Sequence, residues 1–239
     1  MLPTLWGIDL GGTKIEAIVL EGMNSEVIIA RQRIATEADQ GYQHILVQIA
    51  RLIDQVSAST GLSPEKIGMG TPGAVDNGRL KNSNTLALNG KPLKADLEAL
   101  LNISFTLEND ANCFVLAETM MGVVSDVQPD AKVVFGIIMG TGVGGDVVVN
   151  GKLISGRHGI TGEWGHSYLD ESGGPCYCGN TGCVETILSG IGLQRYYEQE
   201  SGIFQHLKAI INQAGSDPIA RATVNRLHHF FWKGSREHH

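Results

Sequence analysis

Three of the four cysteines, Cys176, Cys178 and Cys183, fall within eight residues, between glycines and downstream of His166. Thiolates and an imidazole at short spacing in a loop suit tetrahedral zinc, and four protein ligands would close the site and make the metal structural. The plainer alternative is a set of loop thiols. The fourth, Cys113, falls on an expected helix and reads as a buried thiol. Glu163, in Gly162-Glu163-Trp164-Gly165-His166, and Glu185 flank this loop. Exposed glutamates are commonly solvated surface, yet a carboxylate can also accept paired hydrogen bonds from neighbouring hydroxyls. A metal loop that fixed both would pre-organise such a site.

Two glycine turns carry a second kind of chemistry. In Asp9-Leu10-Gly11-Gly12-Thr13-Lys14 the adjacent glycines let backbone amides and the Thr13 hydroxyl approach a phosphate. Asp9, at a strand end, would hold Mg²⁺ through water. An ordinary hairpin turn is the alternative, and the spacing is not that of a Walker A loop. Gly140-Thr141-Gly142-Val143-Gly144-Gly145 satisfies G-x-G-x-x-G, but a strand follows where a dinucleotide fold needs a helix. A second phosphate-cradling hairpin fits better. Between a strand and a helix stands Glu108-Asn109-Asp110-Ala111-Asn112. Asn109 or Asp110 can simply cap that helix. The functional alternative makes Asp110 a general base and Asn109 a hydrogen-bond partner of the substrate. His228, His229, His238 and His239 lack cysteine or carboxylate partners and read as surface or tail residues.

The elements that must position these residues follow from hydrophobic periodicity. Leu5–Leu10 and residues 15–20 form a hairpin. Ile45, Leu46, Ile49, Leu52, Ile53 and Val56 predict an amphipathic helix over Tyr42–Thr60. A strand at 66–70 stops at Thr71-Pro72-Gly73. A helix at Leu93–Leu101, a strand at 105–107 and a helix at 111–121 follow. A polar boundary spans 122–130. Then the pattern restarts with a strand at Val133–Met139, a glycine loop at 140–145 and a strand at 146–149. Two halves that open alike suggest a duplication, with residues 1–122 and 123–239 as the two lobes. Residues 156–190 read as loop, and helices are expected at 185–198, 204–213 and 218–232. Strand hairpins followed by helices give an α/β class.

Composition bounds the function. The 239 residues are 42% hydrophobic and 18% charged, which suits a packed core rather than a disordered chain. A formal charge of −7 gives no general attraction to nucleic acid. No run approaches the roughly 20 apolar residues of a membrane helix, and no signal peptide is seen. A cytoplasmic protein is expected, with thiols rather than disulfides.

Taken together, Asp9–Lys14, the turn at 140–145, Asn109-Asp110, the segment 162–166 and residues 175–185 resemble the ROK family (repressors, open reading frames and kinases), from about Trp6 to Phe231. The zinc loop with its trailing glutamate is specific; the glycine turns are shared with all actin-like ATPases. The wording around 163–166 and 176–185 looks most like ROK fructokinases, with N-acetylhexosamine kinases and glucokinases close behind. The resemblance implies a two-lobed actin-like (ribonuclease H-like) fold with the active site between the lobes. It implies ATP-dependent phosphorylation of a hexose, at the 6-hydroxyl, with Mg²⁺ as catalytic and Zn²⁺ as structural metal. Asp9, Gly11, Gly12, Thr13 and Lys14 match the first phosphate loop, and Gly140, Thr141, Gly142 and Gly144 the second. Asp110 matches the catalytic base. Asn109, Glu163, His166 and Glu185, with Asn84 a weaker match, occupy sugar-binding positions. His166, Cys176, Cys178 and Cys183 match the zinc ligands. A homodimer is also implied.

Two departures stand out. Asp146 occupies a position where the family has a glycine or small residue, and a carboxylate there would repel phosphates unless it points away or meets Mg²⁺. The family's chains also continue past the tail at 232–239, through a strand and a glycine-rich motif that holds adenosine. The second lobe is therefore expected to be cut short and its adenosine pocket incomplete. Rival assignments are an N-acetylhexosamine kinase, a non-catalytic sugar-binding remnant, and a ROK transcriptional regulator lacking its DNA-binding helices. A nicotinamide dehydrogenase rests only on the turn at 140–145.

Overall fold

The computed structural model describes residues 4–22, 27–154 and 161–236. His238, His239 and the first part of the expected 156–190 loop, residues 156–160, lie outside them. The chain divides into two compact units, residues 1–132 with 150–161, and residues 133–149 with 162–239. The α/β class read from the sequence is borne out.

The first unit is built on a five-stranded sheet. β1 (Leu5–Leu10), β2 (Lys14–Leu20) and β3 (Ile28–Ala35) form an antiparallel meander. β4 (Lys66–Thr71) pairs parallel with β1, and β7 (Ser104–Asn109) parallel with β4. Between them lie α1 (Tyr42–Thr60), the small hairpin β5 (Ala74–Asp76) and β6 (Arg79–Lys81), and α2 (Leu93–Leu101). α3 (Asp110–Met121) and a short α4 (Val123–Val127) follow β7. α4 occupies part of the stretch expected to be a polar boundary.

Strand alternation decides which side chains are free for chemistry. Trp6, Ile8 and Leu10 of β1 are buried, as are Ile15, Ala17 and Val19 of β2, and they pack with Ile45, Ile49, Leu52 and Val56 of α1. With period 2, that burial turns Asp9 to the opposite, open face. The parallel register then aligns Asp9 with Gly70, and Gly70 with Glu108. The carboxyl ends of β1, β4 and β7 thus lie side by side, where open α/β sheets place their ligands.

β3 is missing from the sequence pattern because its alternate residues are charged. Arg31 and Arg33 both pair with Glu16 on β2. This cross-strand pairing, rather than apolar burial, marks the sheet's edge.

The second unit opens with the hairpin β8 (Val133–Met139) and β9 (Val143–Val149), closed by the pair Met139↔Val143. The turn is therefore shorter than expected: Gly144 and Gly145 lie inside β9, opposite Ile138 and Ile137. Asp146 is fully buried in that strand, and its Oδ1 accepts from the Val147 amide at 2.7 Å. It faces the interior and not the open turn, which removes the expected clash with phosphates.

α5 (Val184–Leu188), α6 (Gly190–Ser201), α7 (Leu207–Gln213) and α8 (Pro218–Arg236) complete the unit. The single helix expected over 185–198 is broken at Ser189. That residue is extended, and its hydroxyl caps α6 by accepting from the Gly192 amide at 3.0 Å. Val143, Trp164, Leu169, Val184, Ile187, Leu188 and Phe230 form the core. α8 runs on to Arg236, past the expected end at 232, because Phe231 meets Trp164 edge-on and Gly234 lies against the same indole.

Candidate functional site

Each unit carries part of the chemistry. In the first, the turn after β1 is closed by the Gly11 amide donating to the Lys14 carbonyl at 2.9 Å. Thr36, just past β3 and fully buried, staples it from behind. Its hydroxyl donates to the Gly11 carbonyl at 2.7 Å and its amide to the Thr13 carbonyl at 3.1 Å. Gly12, Thr13 and Lys14 are left exposed, with the turn's backbone already fixed. Thr36 was not foreseen, since its role depends on β3 returning to the hairpin. Asn84 is exposed, and its Oδ1 accepts from Thr85 Oγ1 at 3.4 Å; Thr85 backs onto Gly12.

Asn109 is the N-cap of α3. Its Oδ1 accepts from the Ala111 and Asn112 amides at 2.9 and 3.2 Å, and its Nδ2 donates to the Gly73 carbonyl at 3.0 Å. Capping and substrate contact are thus compatible, because one Nδ2 hydrogen remains. Asp110 follows in the first turn, with Oδ1 accepting from the Ala111 amide at 2.9 Å. Its carboxylate is reached by solvent but crowded by protein. That desolvation raises its pKa above the ordinary carboxylate value, the Ala111 hydrogen bond opposes the rise, and the Asp9 charge adds to it. Asp9 is raised too, first by desolvation and then by Glu16, with Lys14 and Arg33 pulling the other way. Two carboxylates that resist ionisation, at the ends of β1 and β7 with β4 between them, suit a cation or a proton. Behind them Cys113 is half-buried, its thiol pushed up to about 11 by burial and the surrounding carboxylates.

In the second unit, the turn at 140–142 is held from two sides. The Gly190 amide donates to the Gly140 carbonyl at 2.8 Å, a bond that the break at Ser189 makes available. Glu185 Oε2 accepts from the Val143 amide at 2.9 Å. Glu185 also fills the space where a side chain at 142 would go: a Cβ on Gly142 would lie 2.5 Å from Oε2. A cavity of about 550 Å³ opens beside Gly140 and Thr141, lined by Leu188, Ile191, Leu193, Gln194 and Leu227 among others.

Glu163 begins a 3-10 turn over Trp164–His166. Trp164 is buried between Phe135 and Phe231, with centroids at 6.2 and 6.4 Å. Gly165 rests so closely on the Val143 carbonyl that any side chain would collide with it. Glu163 is left exposed and His166 half-buried.

His166, Cys176, Cys178 and Cys183 converge, each with one ligand atom within 4.8 Å of the others. In tetrahedral zinc, bond lengths near 2.3 Å to sulfur and 2.0–2.1 Å to nitrogen give edges of about 3.8 Å for S···S and about 3.6 Å for N···S. Cys178 and Cys183 Sγ are 3.7 Å apart, and Cys176 Sγ is 3.6 Å from His166 Nδ1. The donor set fits the ion. His166 Nε2 meets the Tyr177 hydroxyl at 3.0 Å, so the ring has a partner for each nitrogen. Burial, and then the two neighbouring sulfurs, push the Cys183 thiol up to about 12.

The model of the ROK family matches residues 5–232. The chain belongs to the ROK family. N-acetyl-D-glucosamine kinase of Vibrio cholerae is 39% identical to it over 210 residues, covering 82% of this chain and 67% of the relative. The ROK hexokinase of Thermus thermophilus superposes with a TM-score of 0.80 at 28% identity, over 94% of this chain and 74% of that one. A ROK glucokinase from Streptomyces griseus, solved with glucose and AMPPNP, gives 0.76 at 28% identity over 94% and 75%. The actin-like fold that the resemblance implied is thereby shown. Among the described residues no helix is long and apolar enough to cross a membrane.

Proposed function

We propose that this chain transfers the γ-phosphoryl group of ATP to N-acetyl-D-glucosamine or a closely similar N-acetylhexosamine. The observation that carries this is the 39% identity to an N-acetyl-D-glucosamine kinase. It reverses the order taken from the loop wording: the acetylated amino sugar moves ahead of fructose and glucose.

Asp110 is the general base. As the sugar's primary 6-hydroxyl oxygen attacks the γ-phosphorus, its proton passes to the Asp110 carboxylate, and the bond to the bridging oxygen of ADP breaks. A raised pKa suits that task, bringing the carboxylate nearer the working pH. The turn at Gly11-Gly12-Thr13-Lys14 and the turn at Gly140-Thr141-Gly142 donate to the phosphates, with Gly144 supporting the second from within β9. Asp9 would hold Mg²⁺, which neutralises phosphate charge. The adenine enters the cavity beside Gly140 and Thr141, whose leucine and isoleucine lining suits a flat base.

Sugar hydroxyls are met by Glu163, by the remaining Nδ2 hydrogen of Asn109, by Asn84, by the second oxygen of Glu185 and by His166 Nε2, which exchanges its bond to the Tyr177 hydroxyl for one to the sugar. His166 Nδ1, Cys176, Cys178 and Cys183 would hold Zn²⁺, which fixes the segment between Glu163 and Glu185 structurally. The protein acts in the cytoplasm as a homodimer. The test is turnover of N-acetyl-D-glucosamine by Asp110→Asn: loss of kcat with sugar affinity retained is expected, and near-normal turnover would overturn the assignment of the base.

A further inference from the structure

We propose that Glu108 and Asn112 are positioning residues for Asp110, a role that rests on Asp110 being the base. Glu108 is the penultimate residue of β7, and Asn112 lies in the first turn of α3. Alternation along β7 would give Glu108 an ordinary surface place. Instead its Oε1 accepts twice, from the Asn109 amide at 2.9 Å and from Asn112 Nδ2 at 3.0 Å. Asn112, 8% exposed, also gives its own amide to Asn109 Oδ1 at 3.2 Å. The end of the strand is thereby cross-linked to the start of the helix on both sides of Asp110. The Asn109 cap already ties the strand's last residue to the Ala111 and Asn112 amides, and Glu108 adds a second tie, from the residue before it to the Asn112 side chain.

The physical need is clear from the neighbours. Asp110 stands at a junction, where the backbone changes from extended to helical within one residue. Its carboxylate accepts from the next amide, which sets its rotamer but not the direction of the helix. Gly70 on the adjoining strand brings no side chain against the junction; a Cβ there would only touch Asp110 Cα and Cys113 Sγ, both at 3.6 Å. The Glu108–Asn112 bridge adds a side-chain constraint to the one that the Asn109 cap provides. A misplacement of about 1 Å at a reacting group costs on the order of 100-fold in rate.

The experiment is steady-state kinetics of Glu108→Leu, Asn112→Ala, Glu108→Gln and Asp110→Asn in the full chain, with the folded fraction measured by circular dichroism. Glu108→Leu and Asn112→Ala are expected to lose about 10- to 100-fold in kcat, with KM for sugar and ATP within about threefold. Glu108→Gln keeps an oxygen that accepts both bonds and is expected to recover most of that loss. The acid limb of the pH–kcat profile should move in Glu108→Leu and return in Glu108→Gln. Wild-type kcat per folded molecule in the first two variants overturns the proposal, as does a Gln variant no better than Leu. If Glu108→Leu does not fold, Asn112→Ala decides alone. Activity of Asp110→Asn would instead overturn the assignment of the base, so the two failures are separable.

Discussion

Glu185 joins the two halves of the second unit's chemistry, and its removal has a calculable effect. The side chain accepts from the Val143 amide through Oε2 at 2.9 Å and fills the space beside Gly142. A hydrogen bond to a charged acceptor is worth about 1.5–3 kcal/mol. Glu185→Ala removes the acceptor and the filling, so the ordered turn should lose about 2 kcal/mol relative to looser conformations. At about 1.4 kcal/mol per factor of ten, that is about a 30-fold loss in kcat/KM for ATP. Glu185→Gln keeps an oxygen acceptor without the charge, and neutral bonds are about half as strong. The loss is then about 1 kcal/mol, or about fivefold. The assay is initial-rate kinetics with ATP varied at saturating N-acetyl-D-glucosamine, on variants shown by thermal melting to be folded. An Ala variant with intact folding and unchanged kcat/KM for ATP would refute the coupling of Glu185 to the glycine turn.

Asp110→Asn should leave the ligand-free protein at least as heat-stable as the parent at pH 7. A carboxylate whose pKa is raised by folding disfavours the fold as pH climbs from 3.8 through the folded value, and an amide escapes that penalty. A lower melting temperature for the variant at pH 7 than at pH 4, relative to the parent, would contradict this. Asn109→Ala should cost about 1–2 kcal/mol in urea denaturation, from the lost cap and the bond to Gly73, with the Ala111 amide still met by Asp110. Cys183→Ser, or a strong chelator, should abolish bound zinc measured by atomic absorption and lower the melting temperature together. Retained zinc in Cys183→Ser would remove that residue from the ligand set.

The sequence revealed local chemistry better than long-range support. Asp9 was legible because strand period and a glycine turn are neighbours in the chain. The converging His166, Cys176, Cys178 and Cys183 were legible because their spacing is short. α1 showed itself through a clean helical stripe. Thr36 was not legible, since a lone threonine has no local pattern and acts on a turn more than twenty residues away. β3 hid behind Arg31 and Arg33, whose reason for being there is Glu16 on the neighbouring strand. The break at Ser189 was hidden by helical periodicity on either side, and only its bond geometry at Gly192 and Gly140 explains it. Glu108 and Asn112 were in view as letters of a motif, but their shared oxygen is a fact of three dimensions.

The decisive measurement is ATP-dependent phosphorylation across a panel of N-acetyl-D-glucosamine, N-acetyl-D-mannosamine, glucose, fructose and mannose, with Mg²⁺ present. Turnover with the highest kcat/KM on N-acetyl-D-glucosamine is expected. Preference for fructose or glucose would contradict the substrate assignment, and no turnover on any of them, with the sugars still raising the melting temperature, would contradict the kinase itself.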